Sequence, residues 1–402
     1  MNRLKFKVVA TILTVLLLSL ATGCWNRREL NDLAVAVGLG IDKVGDDRYL
    51  VSAQVVEPGE VAEKGGGGRA PVVLYSETGY TVMEAIRKMT TKSPRKIYAA
   101  HLRVLVIGED LAREGIGEAL DFMIREHELR TDFFVAIAKG RQAKEILAVM
   151  TPLEKLPAAM IYRSMQTSEK NWAPSLSVTL DKLIADLTSD GKHPVLASIE
   201  LTGDAREGNN KSNLTHIELP ARVTSRGLAA FKKDKLVGWL NEKESKGYNY
   251  MINKISSTVG FMPCPNGGRI AVEVIRSNAD IKARTSDGEP VIDVKLRVKQ
   301  NVSEVLCKID LASDGMFAEI DRRSAQKLES ILESAIDKAQ QQFKSDIFGF
   351  GDAVHRADPK LWKRLQGDWD RHFANMPIHV TVDVETTLAG TINNSLLMKI
   401  KE

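Results

Sequence analysis

Leu33-Ala34-Val35-Ala36-Val37-Gly38-Leu39-Gly40-Ile41 is an apolar run without a polar interruption, and its reading decides the fold. A strand with one wet face alternates apolar and polar residues. A strand covered on both faces does not, so this run predicts a fully buried strand. Val104 to Ile107 and Phe133 to Ala138 have the same character. Between them lie helical patterns, at Met83, Ile86 and Arg87 to Met89 and again at Ala119, Leu120, Met123 and Ile124. Strands alternating with helices predict a mixed α/β domain. Val51 to Val56 is a further strand ended by Pro58, and Val72 to Tyr75 is strand-like.

Downstream, residues 153–190 read as helices joined at Pro157 and Pro174, with Leu176, Leu180, Leu183, Ile184 and Leu187 on one stripe. Gly203 to Asn213 is rich in glycine, asparagine and charge and reads as a long exposed loop. Gly227 to Phe231 and Lys235 to Leu240, separated by a Lys-Lys-Asp turn, predict a small β-rich middle domain, with a helix over Asn241 to Lys254 leaving it. Val291 to Lys299 and Ile378 to Val384 alternate with period two and predict half-buried strands. Between them Leu328, Ile331, Leu332, Ala335, Ile336, Ala339, Phe343 and Ile347 mark one face of a long helix beginning near Ser324. The expected class is α+β, with three mixed α/β domains at 24–200, 201–265 and 266–402. The last is read as an antiparallel sheet with one long helix across a face.

Upstream, Arg3, Lys5 and Lys7 form a positive leader before an apolar core from Val8 to Ala21. That core fits a signal peptide and falls short of the roughly 20 apolar residues of a spanning helix. Leu20-Ala21-Thr22-Gly23-Cys24 then reads as a bacterial lipoprotein processing site, which makes 1–23 a signal peptide and Cys24 the lipidated residue. An ordinary secretory signal and an uncleaved anchor are the alternatives. Three of the four units of formal positive charge belong to the leader, so the remaining body is nearly neutral and offers no nucleic-acid footprint. Lys232, Lys233 and Lys235 read as a solvated turn.

Catalytic chemistry finds no support in the pattern. Gly65 to Gly68 lacks the Gly-Lys-Ser/Thr that would close a phosphate cradle, and Lys43 stands where a dinucleotide fingerprint on Gly38 and Gly40 needs its third glycine. His127-Glu128 lacks the second histidine of the zinc-peptidase spacing, and no Gly-x-Ser-x-Gly or Cys-x-x-Cys is present. His101 and His355 read as structural histidines. No catalytic residue, metal or dissociable cofactor is expected. Cys264 and Cys307 could be bridged in an exported protein.

Trp25-Asn26-Arg27-Arg28-Glu29-Leu30, leading to Gly40-Ile41-Asp42, resembles the opening of the Ger(x)C family, the C subunits of spore nutrient-germinant receptors. The resemblance continues through Ala100 to Arg103, Gly108 to Ala112, Gly227 to Gly238, Asp346 to Gly351 and Pro359 to Trp362, followed by Trp369 and Phe373. It implies a lipid-anchored, non-enzymatic subunit on the outer face of the inner spore membrane, bearing diacylglycerol and an N-acyl chain on Cys24. Its implied partners are two integral-membrane subunits, A-type and B-type, to which nutrient recognition is usually assigned. Trp25 then suits the membrane interface and Arg27 and Arg28 suit anionic headgroups, the alternative being that Trp25 packs on the first domain. A solute-binding lipoprotein of a transporter, which would show two repeated lobes, and a membrane-tethered hydrolase are the competing functions. Phe348-Gly349-Phe350-Gly351 reads as a helix stop with core-capping phenylalanines, or as a partner-facing turn.

Overall fold

The computed structural model describes residues 2–20, 32–61, 68–264 and 267–388. Its strands form two sheets. The larger contains β1 (Leu33–Val44), β2 (Arg48–Val56), β3 (Val72–Gly79), β4 (Lys96–Tyr98), β5 (Val104–Gly108), β6 (Phe134–Ala138), β7 (Val195–Gly203), β8 (Ala221–Lys232) and β9 (Lys235–Leu240). The order is β3-β2-β1-β5-β6-β7-β8-β9, with β4 also paired to β1. The strands β1, β5, β6 and β7 run parallel, and antiparallel pairs extend the sheet at both sides.

The opening run is buried on both faces, as its composition requires. Leu39, Ile41, Leu105, Ile107, Val135 and Ile137 enter one core, while Val37, Val104, Val106, Phe134 and Ala136 enter the other. Period-two pleating between two dry faces leaves no position for a polar side chain. Gly38 and Gly40 lie where the helices Pro157–Asn171 and Ala143–Leu147 approach the sheet. A Cβ on Gly38 would stand 2.9 Å from Ala158 Cβ, and one on Gly40 would stand 3.1 Å from Ala143 Cβ. These are packing glycines, which accounts for them without a dinucleotide.

The strands expected to form a middle unit at 201–265 instead complete the large sheet. β8 pairs with β7 from Val195↔Ala230 to Gly203↔Ala221, and β9 pairs with β8. Local alternation specifies a strand, whereas its partner is set by non-local packing. The stretch expected as a long exposed loop contains two helical turns, Ala205–Gly208 and Lys211–Leu214. Asn213 pins it down from a fully buried position, donating to the carbonyls of Met150 and Ala221 and accepting the Ala221 N–H.

The smaller sheet has the order β10 (Thr258–Pro263), β11 (Arg269–Ser286), β12 (Glu289–Leu306) and β13 (Ile378–Leu388). The first three are antiparallel, while β13 joins β12 in parallel. A parallel partner needs a long crossover, supplied by the long helix Met316–Asp337 and the helices Phe350–Ala357, Pro359–Leu365 and Trp369–Asn375. The long helix starts at Met316, ahead of Ser324; of its first two turns only Ile320 is buried, so they add little to the apolar stripe that marks the helix in the sequence. Cys264 and Cys307, 43 positions apart in the chain, are joined by a disulfide amid Met262, Ile270 and Ile309.

Candidate functional site

Cys24, Trp25, Arg27 and Arg28, the residues expected at the membrane, lie outside the described residues. Before them Asn2–Leu20 is helical, and no helix among the described residues is long and apolar enough to cross a membrane.

Two buried carboxylates stand out, and both organise backbone. Asp42 ends the apolar stretch of β1, and its carboxylate accepts the N–H groups of Ala143 at 2.6 Å and Lys144 at 3.0 Å, at the start of Ala143–Leu147. Burial raises its pKa to about 6 against the opposing pull of those two hydrogen bonds. Gly108 leaves room for it, since a Cβ there would stand 2.2 Å from Asp42 Oδ1. The Gly40-Ile41-Asp42 and Gly108-Glu109-Asp110 motifs thus meet as one structural lock.

Asp346 is fully buried, and its carboxylate accepts N–H groups from Phe348, Gly349, Gly351 and the Trp369 indole, the last at 3.0 Å. Burial raises its pKa, opposed by these donors. Gly349 adopts φ 83°, open to a residue without Cβ, and Phe348 and Phe350 stack at 5.1 Å inside the core. The phenylalanines thus cap the core as expected, but the turn does not stop a helix: the preceding helical stretch ends at Phe343, capped by Lys344, and Gly349 opens the helix Phe350–Ala357. The turn clasps the large sheet: His193 N–H donates to the Asp346 carbonyl and Ser345 Oγ donates to the Phe231 carbonyl.

Glu126, His127 and Glu128 come close enough to share a cation, but His127 is largely exposed and Glu128 is engaged by Lys96 Nζ at 2.8 Å. Neither His101 nor His355 joins a cluster of metal-ligand type among the described residues.

An apolar groove of about 420 Å³ lies between the smaller sheet, the long helix and the helix Glu242–Met251. Its floor is β10 and β11, and its walls are the long helix, the helix Glu242–Met251 and Trp172. Three ammonium groups approach this apolar surface. Lys246 Nζ lies 3.5 Å from the Trp172 ring centre, Lys327 Nζ lies 5.8 Å from that of Phe261, and Lys243 donates to Ser330 Oγ. Burial lowers the Lys246 pKa, partly offset by Glu242. Sequence reading missed this groove because its lining comes from segments far apart in the chain, from Trp172 to Ile331. The one local signal is Thr258 to Pro263, an edge strand without a charge.

Fold and groove together define a two-sheet α/β protein whose buried carboxylates serve as structural anchors and whose open chemistry is a groove. The chain belongs to the GerAC-like family of spore germination proteins. The family's N-terminal domain, described as "Spore germination protein N-terminal domain", matches residues 26–201, and "Spore germination B3/ GerAC like, C-terminal" matches residues 226–390. Spore germination protein KC of Bacillus subtilis is 29% identical over 98% of this chain and 99% of its own length. Spore germination protein B3 of the same organism is 24% identical over 95% of this chain and 98% of its own length. The crystal structure of the GerBC protein shares the fold, with a TM-score of 0.53 and 20% identity over 87% of this chain and 96% of that one. The role of the chain is in spore germination.

Proposed function

We propose that the chain is a lipid-anchored, non-enzymatic subunit of a spore nutrient-germinant receptor. The observation that carries this reading is the end-to-end correspondence with spore germination proteins, 98% of this chain against 99% of spore germination protein KC. The lipid attaches at Cys24, as diacylglycerol on the sulfur and an acyl group on the new N-terminus. Each buried methylene contributes about 0.8 kcal/mol, so several chains give lasting attachment. Trp25, Arg27 and Arg28 follow at the membrane interface. The Cys264–Cys307 bridge accords with a body exported from the reducing cytosol. The body stands on the outer face of the inner spore membrane beside an A-type and a B-type integral-membrane subunit. Unlike the two repeated lobes of a solute-binding lipoprotein, its sheets differ in size and topology.

Cys24→Ala is the direct test. The variant is expected to fold, to leave the membrane fraction and to weaken the germination response; equal membrane recovery of variant and wild type sinks the anchoring claim. Co-purification from spore membranes is expected to bring down two polytopic proteins. Recovery of a transporter permease instead decides against the receptor.

A further inference from the structure

The groove between Trp172, Phe261 and the long helix runs along an open sheet edge. β10 ends its sheet, and no strand among the described residues pairs with its outer side. Thr258, Val259, Gly260, Phe261 and Met262 all line the groove, although successive residues of a strand point to opposite faces. A cavity touching every residue in turn must follow the strand's edge, where unpaired N–H and C=O groups are offered.

Sheet edges are normally guarded by charge, a bulge or a cover. The opposite edge strand of this sheet, β13, carries His379, Asp383 and Glu385. By contrast, β10 carries no charged residue and leaves Val259 41% and Phe261 58% exposed. Trp172, also 42% exposed, stands across the groove from them. Such an edge invites pairing, and the groove's charges select what pairs. Lys243, Lys246 and Lys327 face Glu242 as the one carboxylate among the described lining residues. Glu242 lies 3.8 Å from Lys246, and among the described residues no carboxylate pairs with Lys243 or Lys327.

We propose that this edge accepts an extended segment of a partner protein that alternates apolar and acidic residues, adding it to the sheet beyond β10. Main-chain hydrogen bonds to β10 supply affinity. Apolar side chains of the segment enter between Trp172, Phe261 and Leu328, and its carboxylates meet Lys243 and Lys327. A lipid surface is the poorer match, because hydrocarbon could not satisfy the open backbone groups.

The test uses the full chain extracted from membranes in detergent. A labelled synthetic peptide alternating glutamate with valine is titrated by fluorescence anisotropy, with a lysine–valine peptide as control. The acidic peptide is expected to bind saturably and more weakly at high salt, and the basic one not to bind. Lys243→Glu with Lys327→Glu is expected to reduce acidic-peptide affinity about tenfold or more, and Phe261→Ala to weaken it separately. Both lie on exposed surface, and an unchanged circular-dichroism spectrum and melting temperature verify folding. Equal binding of the two peptides, affinity unchanged in the double variant, self-association through β10 in place of peptide binding, or Phe261-dependent binding only to anionic vesicles overturns the proposal.

Discussion

Asp42 shows how one side chain ties separate elements together. It leaves the end of β1, passes the space kept by Gly108, and holds the first two N–H groups of Ala143–Leu147. Its folded pKa of about 6 lies above the ordinary 3.8, so the folded state binds the extra proton between those values. The contribution to stability is therefore fully present below pH 3.8 and is lost as pH rises through about 6. Its size is on the order of 3 kcal/mol from a shift of about two units. Asp42→Asn keeps one acceptor but turns an amide N–H toward a backbone donor, and is expected to destabilise by about 1–2 kcal/mol. Urea denaturation at several values between pH 4 and 7 checks both effects, since the gap between wild type and variant should close and then reverse as pH rises through about 6. Parallel curves would show that Asp42 does not titrate as described.

At the scale of elements, the disulfide closes the β10–β12 end of the small sheet, where Cys264 and Cys307 lie 43 positions apart in the chain. Loss of that link in Cys264→Ser with Cys307→Ser is expected to destabilise by about 4 kcal/mol in the chain-entropy account. Thermal unfolding of the wild type with and without reductant should show the same loss, and a double variant insensitive in melting temperature would contradict it. The elements differ in how legible they were. The runs at Leu33, Val104 and Phe133 declare buried strands because burial on both faces excludes every polar residue. The long helix and the pairs around Val291 and Ile378 declare themselves by period. Pairing partners were not legible: nothing local to Gly227–Phe231 says that it joins β7, or to Ile378–Val384 that it runs parallel to β12. The groove was hidden for the same reason, because Trp172, Lys246, Phe261 and Lys327 become neighbours only in the folded chain.

For the whole molecule, docking of the two sheets is a property of the core. Phe231, Tyr248, Leu296, Leu332 and Phe350 belong to one continuous hydrophobic cluster. One close contact across it is backbone on backbone, for a Cβ on Gly351 would stand 2.6 Å from Gly191 Cα and 2.9 Å from the Trp362 ring. Gly351→Ala is thus expected to push the Asp346–Gly351 turn away from the large sheet, costing about 1–3 kcal/mol through overpacking. A lower melting temperature and faster proteolysis near residues 344–358 would register it, and wild-type behaviour in both would show that this contact does not couple the sheets. The variant also separates two requirements of the proposed receptor role. Cys24→Ala removes the body from the membrane while leaving it folded. Gly351→Ala should leave it on the membrane while loosening the packing of the Asp346–Gly351 turn against Gly191. If partners read the assembled body, spores carrying Gly351→Ala should germinate poorly despite normal membrane recovery. A full response from a demonstrably loosened variant would place the partner contact on one sheet alone.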